Sequence, residues 1–311
     1  MASLTEPQVD RRRRGPTPRP RPGAARTLGR LLPLAPAVAL LVVFLVGPIL
    51  YSLYGSLTNR SMSGPGAADP QFIGLDNYTQ LFSDGEFWTS VWLTVLFVGA
   101  SAVIGQNGMG MALALLLRAA SSPVRALVGT VVVGAWVLPE IVAAFAAYAF
   151  FSGDGTLNIV LGWFGLDGPA WLFTFPMLAV ILANVWRGTA FSMMVYAAAL
   201  NEVPPEITEA AELDGAQGWQ QFAYITLPMI RRAVSTNLML ITLQTLGVFT
   251  LIWVMTGGGP GVQTSTLPVL AYQEAFKFMQ VGYGTAIATM TLLVGALFSV
   301  LYIKVLKPEV D

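Results

Sequence analysis

Three carboxylates, Glu206, Glu209 and Glu212, stand three residues apart in a polar segment (residues 201–232) between two long apolar runs. Residues at that spacing share one face of a helix, and carboxylates near a helix N-terminus interact favourably with its dipole. The segment also has two helix-length pieces, a glycine break and a proline stop, and Ala210 and Ala211 present a small surface that another protein can approach closely. That much order in a water-facing segment predicts a docking surface for a soluble protein. The alternative is an interfacial helix that only leads into the next apolar run.

Other kinds of chemistry are excluded by residue types that the chain lacks. It has no cysteine and no histidine, so zinc sites, haem sites and histidine-based acid–base catalysis are not expected. The phosphate-binding pattern GxxxxGK[ST] is also absent, and the only lysines are Lys277, Lys304 and Lys307. We therefore predict no catalytic residue, no metal site and no cofactor in this chain, and we do not expect an enzyme.

The elements that must position the polar segment are strongly apolar. Hydrophobic residues make up 55% of the 311 residues and charged residues 11%, whereas soluble domains carry about 25% charged residues. Several apolar runs exceed the roughly 18–20 residues that span a bilayer, and a spanning segment must satisfy its own backbone hydrogen bonds. The composition predicts an all-α polytopic membrane protein with six transmembrane helices. We place them at 34–57, 90–117, 125–151, 175–200, 233–256 and 285–306.

Two of these predicted spans carry features of their own. Pro139 predicts a kink or break in the third span, because proline removes a helical hydrogen bond. In the second span, Gly105, Gly108 and Gly110 are small enough to allow close packing against another helix.

Basic residues are distributed unevenly, which predicts an orientation. Residues 1–30 are rich in Arg and Pro, a composition typical of a disordered tail, so the membrane domain is assigned to 31–311. If the tail is cytoplasmic, the opposite side holds only Arg60 and Lys277, whereas the tail side also collects Arg118, Arg125, Arg231, Arg232, Lys304 and Lys307. The positive-inside rule then places both termini and the polar segment in the cytoplasm. A signal peptide is the alternative for the tail, but the apolar run is too long and no Ala-x-Ala site follows.

The polar segment has predicted starts and stops. Pro204-Pro205 can begin a helix, and Gly215 can end it. A second amphipathic piece runs through Trp219, Phe222, Ile225 and Leu227, and Pro228 is expected to stop it.

The spacing within 209–228 resembles that of a known family. The pattern Glu-Ala-Ala, three residues, Gly, nine residues, Ile-x-Leu-Pro is similar to the signature loop of binding-protein-dependent ABC importer permeases. The surrounding run AALNEVPPEITEAAELDGA at 198–216 resembles the sugar-type permeases of the maltose and glycerol-phosphate group. Further similar motifs follow in the group's order: FIGLDNY at 72–78, GTLN at 155–158 and TGGGP at 256–260. The resemblance extends over about residues 35–306.

Two positions depart from the group's pattern. Gln106-Asn107 interrupts the second span, which is usually smoothly apolar. At 201–204 the chain reads NEVP, where the group often has Gln or Ser before Ile-Pro. These departures leave the family resemblance intact and put the identity of the substrate in doubt.

The resemblance implies a type I ABC importer permease fold in a bacterial-type inner membrane. It implies a second permease subunit, two cytoplasmic ATPase subunits that hold ATP and Mg²⁺, and an external solute-binding protein that delivers a sugar. The polar segment is then the coupling loop 201–232. Within it, Glu209 would pair with the ATPase, Ala210 and Ala211 would pack against it, and Asp214 and Gly215 would end the helix.

The solute pathway has several candidate residues. Ionisable groups in spans are functional candidates, and sugars need hydrogen-bonding side chains and aromatic faces. The candidates are Glu140, Asn184, Trp186, Arg187, Gln244, Phe249 and Trp253. The alternatives are an ion pair between Glu140 and Arg187, and a packing or lipid-facing role for the aromatic residues. One permease of a pair can carry the whole site, in which case this chain has none.

Other readings remain open from the sequence. The external segment 257–284 is predicted either to contact the solute-binding protein or plug the outer mouth, or to be a simple connector with a helix around 267–278. The solute can be glycerol phosphate or another polar molecule instead of a sugar. An ion-coupled secondary transporter would need intramembrane carboxylates, and only Glu140 is available.

Overall fold

The computed structural model describes residues 32–306. The predicted disordered tail at 1–30 and Lys307 lie outside these residues. The chain divides into two units between Tyr51 and Ser52. Most of the first span belongs to the first unit, and every described element from Pro65 onward belongs to the second.

Within the described residues the structure is helical, with one isolated bridge between Thr58 and Phe72. The helices are α1 (Ala35–Gly55), α2 (Pro65–Ala68), α3 (Asp76–Ser83), α4 (Gly85–Ala119), α5 (Ser122–Val137), α6 (Glu140–Phe151), α7 (Thr156–Trp163), α8 (Trp171–Thr174), α9 (Pro176–Asn201), α10 (Pro205–Leu213), α11 (Gly218–Gln221), α12 (Leu227–Met229), α13 (Arg231–Leu246), α14 (Thr250–Thr256), α15 (Leu267–Tyr272) and α16 (Val281–Leu306). Wider π-helical stretches occur at Val42–Val46, Val98–Gln106, Phe222–Thr226 and Gln273–Lys277.

The all-α prediction is confirmed, and the described residues contain four to six candidate spans. Helices α1, α4, α9 and α16 are each long and apolar enough to cross a membrane, and the number reaches six if each of two bent helix pairs is one span. The first pair bends by 108° at Leu138-Pro139, so the predicted effect of Pro139 is a full break. The second pair, α13 and α14, bends by 48° near Gly247 and was not predicted.

The second span begins earlier than predicted, at Gly85. Asp84 explains the shift, because its carboxylate accepts a hydrogen bond from the Glu86 backbone N–H at 2.9 Å and caps the helix. Because the first turn contains polar residues, the apolar run from which the span was predicted begins several residues later.

Helix α9 is the central element of the second unit, and it packs against α4, α5, α6, α13 and α14. Small residues set its distance from α4. A methyl group added at Gly110 would lie 2.4 Å from the Ser192 Cβ atom, and one added at Gly105 would lie 2.3 Å from a Val185 methyl. A methyl group added at Gly108 would have no neighbour within 4 Å, so only two of the three predicted glycines serve this packing.

The loop after α1 is hydrogen-bonded to α3 and to the segment 257–284. The Asn77 amide donates to the carbonyls of Ser56 and Thr58 at 2.8 and 2.9 Å, and the Met62 N–H donates to the Met279 carbonyl at 2.8 Å. The Leu267 N–H also donates to Thr94 Oγ1 at 2.9 Å. Segment 257–284 is thus bonded to the rest of the second unit, and it contains a helical stretch where one was predicted, at α15 and the following turn.

Candidate functional site

Helix α10 begins at the predicted proline pair. Pro204 has extended backbone with ψ 131° and serves as the N-cap, and Pro205 occupies the first turn. Proline is favourable there because a first-turn N–H has no helical partner to lose. Glu206 lies in the same turn, close to the positive end of the dipole.

The same helix ends at Asp214 and Gly215, in a geometry that requires glycine. Gly215 has φ +81°, in the left-handed region. The Ala216 N–H donates to the Ala211 carbonyl at 2.9 Å, and the Gly215 N–H donates to the Glu212 carbonyl at 3.0 Å. This pair of bonds is a Schellman motif, which satisfies the last carbonyls of the helix and reverses the chain sharply.

The exposed face of α10 differs from the predicted one at a single residue. Glu209 and Ala210 are exposed, but Ala211 is only 7% exposed and its side chain points into the protein. The contact that we predicted for Ala211 is therefore not available to a partner. Leu213 at the end of the helix is 91% exposed instead.

Large apolar side chains are also exposed after the turn. Trp219 is 74% exposed and Tyr224 is 79% exposed. Sequence reasoning assigned Trp219 to an amphipathic piece and overlooked Leu213 and Tyr224. Exposed apolar patches rimmed by polar residues mark sites of interaction with other proteins or with the membrane. The available signal was the presence of such residues in an otherwise hydrophilic stretch.

The second piece of the polar segment does not stop at Pro228. It runs from α11 through the π-helical stretch into α12, and Pro228 lies in the first turn of α12. Proline loses no hydrogen bond in that position, so the piece continues to Met229. The predicted stop is wrong for this reason.

Both ends of the polar segment are anchored in the protein. Val203 follows α9, Ile230 precedes α13, and each is 4% exposed. They pack in one cluster with Ala114 of α4 and with Tyr196 and Leu200 of α9. The polar segment is thus an ordered loop whose two ends are packed against α4 and α9.

The pathway candidates separate into interior and surface residues. Asn184 is buried, and its amide donates to Ser101 Oγ at 3.0 Å, so it joins α9 to α4 and does not face a pathway. Arg187 Nε and Glu140 Oε1 are buried atoms without a hydrogen-bond partner among the described residues. No ion pair joins the two side chains in this part of the chain, so the alternative that they neutralise each other is not supported.

Trp186 lines an apolar cavity of about 530 Å³ between α6, α7 and α9. Its other walls are alanine, phenylalanine and leucine side chains. The cavity offers a sugar almost no hydrogen-bonding partner, which weakens the assignment of Trp186 to solute binding.

Four aromatic rings form a connected row, which we call the aromatic row. Phe249 and Trp253 stack with centroids 5.8 Å apart, and Tyr272 lies 4.8 Å from both. Phe276 extends the row at 5.1 Å from Tyr272 and is exposed. Gln244 is exposed on α13, before the bend.

The structure thus joins two predicted residues, Phe249 and Trp253, with two that were missed, Tyr272 and Phe276. In each pair the rings are four residues apart, which places them on one helix face. That repeated spacing was the signal available in the sequence. Their meeting depends on how the segment 257–284 folds back onto α14, which no local pattern encodes.

Acidic groups gather where α4 meets segment 257–284. Partial burial, and secondarily the carboxylates of Asp84 and Glu86, raise the pKa of Glu274 above its ordinary value. The Tyr283 hydroxyl donates to Asp84 Oδ2 at 2.9 Å, which ties α16 to the start of α4.

The chain is similar to proteins of known type. The family described as "Binding-protein-dependent transport system inner membrane component" matches residues 106–310. The sulfoquinovosyl glycerol transport system permease protein SmoG of Agrobacterium fabrum is 33% identical, covering 91% of this chain and 92% of that protein. The trehalose/maltose transport system permease protein MalF of Thermococcus litoralis is 31% identical, covering 89% and 93%.

A solved structure shares the fold. A chain of a bacterial ABC transporter involved in the import of the acidic polysaccharide alginate superposes with a TM-score of 0.77 at 23% identity. The superposition covers 92% of this chain and 98% of that chain. The helical arrangement is therefore that of an ABC importer permease.

Proposed function

Because this chain belongs to the binding-protein-dependent transport system inner membrane components, we propose that it is a permease subunit of an ATP-driven sugar importer. In this proposal it forms a translocation pathway with a second permease subunit. Two cytoplasmic ATPase subunits hold ATP and Mg²⁺, and an external solute-binding protein delivers the sugar.

The observation that carries the proposal is the structure of the polar segment. Helix α10 presents Glu209, Ala210 and Leu213 outward and is closed by a Schellman motif. The polar segment that carries it is anchored to α4 and α9 at both of its ends, through Val203 and Ile230. A chain without a phosphate-binding loop needs another protein to supply ATP energy, and such a helix is suited to receive it. Rigid-body displacement of the docked helix would then move the spans between inward- and outward-facing states.

The orientation follows from the same assignment. Docking to an ATPase requires the polar segment in the cytoplasm, as the distribution of Lys and Arg predicts. Both termini are then cytoplasmic, and segment 257–284 faces the solute-binding protein.

The sugar assignment has two supports. The relatives named above carry sugars or sugar derivatives in their names. The aromatic row supplies flat apolar faces on which a pyranose ring can stack, and Gln244 is an exposed amide on the preceding helix. Phe249, Trp253, Tyr272 and Gln244 are our candidates for solute contact, with Arg187 and Glu140 as charged candidates.

The test is isolation from the native host followed by reconstitution. A tagged chain purified in mild detergent should retain an ATPase subunit and a second permease. In proteoliposomes with the solute-binding protein, it should take up a sugar only when ATP is supplied on the ATPase side. A chain that purifies without an ATPase and transports on an ion gradient would overturn the proposal, and uptake of glycerol phosphate alone would overturn the sugar assignment.

A further inference from the structure

The unusual pair Gln106-Asn107 lies at the centre of a buried polar cluster. Asn107 Oδ1 accepts hydrogen bonds from the Tyr196 hydroxyl at 2.5 Å and from the Asn237 amide at 2.6 Å. The Asn237 amide also lies 2.9 Å from Ser192 Oγ and 3.1 Å from the Tyr196 hydroxyl. All four side chains are buried. We call Asn107, Ser192, Tyr196 and Asn237 the clamp.

The local helix geometry presents both polar residues of the pair to α9. The π-helical stretch Val98–Gln106 ends at the pair, and the Asn107 backbone N–H donates to the Ala102 carbonyl. Asn107 Nδ2 donates to the same carbonyl at 2.6 Å, which fixes the side-chain amide. Gln106 Nε2 donates to the Asn184 carbonyl at 3.2 Å, and its side chain occupies the space left by Gly188, where an added methyl would lie 2.1 Å from Gln106 Oε1.

The position of the clamp links it to the polar segment. Tyr196 lies five residues before Asn201, where α9 ends, and Asn237 lies six residues after Arg231, where α13 begins. At 1.5 Å per residue the clamp is about 8–9 Å from both ends of the segment. Its bonds join the two helices that carry the segment to each other and to α4.

The buried location of the clamp favours continued contact between α4, α9 and α13. A buried polar side chain that loses its hydrogen-bond partner pays a desolvation cost, so separation of α9, α13 and α4 at the clamp would be unfavourable. We propose that Asn107, Ser192, Tyr196 and Asn237 are positioning residues that make the three spans move as one body when the polar segment is displaced. The transmission of ATP-driven motion rests on the proposed function, whereas the mechanical connection does not.

The test uses two matched tyrosine variants of the whole importer. Tyr196→Phe removes one hydroxyl from the clamp. Tyr302→Phe is the control, because the Tyr302 hydroxyl lies 2.9 Å from Thr242 Oγ1 and joins α13 to α16 instead. Ser192→Ala is a second, smaller change within the clamp, in case the tyrosine variant assembles poorly.

The first measurement is amide hydrogen exchange at 197–201 and 231–236, which flank the polar segment. Tyr196→Phe should speed exchange there by about three- to tenfold, in line with the loss of one or two interhelical hydrogen bonds. Tyr302→Phe should leave exchange at these amides unchanged. Equal rates in the wild-type protein, Tyr196→Phe and Ser192→Ala would overturn the clamp, whatever the protein transports.

The second measurement is the number of ATP molecules hydrolysed per solute imported in proteoliposomes. Tyr196→Phe should raise this ratio by at least about threefold, since a loosened segment absorbs part of the displacement, and Tyr302→Phe should not. Faster exchange with an unchanged ratio would overturn the transmission role. A wild-type complex without solute-stimulated ATP hydrolysis would instead overturn the proposed function.

Discussion

Gly110 sets the distance between α4 and α9, and its replacement by alanine should have a defined cost. The added Cβ would lie 2.4 Å from the Ser192 Cβ atom, 2.9 Å from the Met193 backbone N and 3.0 Å from the Ser192 carbonyl carbon. Two of these neighbours are backbone atoms, which no rotamer change can move. Ordinary contacts begin at 3.4 Å, so the helices must separate by about 1 Å at this point.

The magnitude follows from the separation. A radial gap of about 0.5–1 Å already removes a quarter to a half of the dispersion attraction between facing atoms, and overpacking of a filled interior costs about 1–3 kcal/mol. We expect Gly110→Ala to lose about 2 kcal/mol, which corresponds to a fall in Tm of about 4–8 °C on the scale of domains of 150–250 residues.

The assay is thermal unfolding of the detergent-solubilised protein with Gly108→Ala as the control. Gly108 is two residues away on the same helix, and a Cβ atom added there would have no atom of another element within 4 Å. Alanine there should leave Tm unchanged or raise it slightly, since alanine is the better helix former. A Tm for Gly110→Ala equal to that of Gly108→Ala would refute the close packing of α4 on α9.

Three further changes have expected outcomes. The pKa of Glu274 is raised in the folded protein. Its contribution to stability is therefore fully present at pH values below the ordinary pKa of a glutamate, and it is lost as the pH rises through the raised pKa of the folded state. Glu274→Gln should therefore raise Tm at pH 7–8 and lose its advantage near pH 4; an advantage independent of pH would contradict the shift. Gly215→Ala should destabilise the turn after α10 by about 1 kcal/mol because of its positive φ, measured as Tm, whereas Gly218→Ala, at a glycine without positive φ, should cost less than half as much. Trp253→Leu should raise the solute concentration for half-maximal uptake by about tenfold through loss of stacking. The control Trp163→Leu, at an exposed tryptophan, should leave this concentration unchanged. Equal uptake curves for the two variants would exclude the aromatic row from the pathway.

Local signals predicted much of the fold. Apolar length gave six spans, Pro139 marked a break, and the pair Pro204-Pro205 with Gly215 bounded α10. These features depend on backbone chemistry that acts within a few residues, so a single sequence contains them. The bend near Gly247 was not predicted, because a glycine between apolar residues is compatible with a continuous helix.

Residue orientation was harder to predict than element position. Asn184 was assigned to a pathway and instead bonds to Ser101 inside the protein, and Ala211 was assigned to a partner surface and is buried. On a helix that is apolar on most sides, which face turns inward is decided by neighbours distant in sequence. The same reason hid the clamp, since Asn107 and Asn237 are 130 residues apart.

The most direct test of the central claim is solute-stimulated ATP hydrolysis by the reconstituted importer carrying Glu209→Lys. Glu209 is exposed on α10, and reversal of a charge at a docking surface juxtaposes like charges and costs several kcal/mol. Glu202→Lys, an exposed charge reversal outside the helix, is the control. We predict that Glu209→Lys leaves the permease inserted and lowers the stimulated rate by at least about tenfold, while Glu202→Lys retains it. An unchanged stimulated rate in Glu209→Lys would contradict the assignment of α10 as the helix that couples this permease to an ATPase.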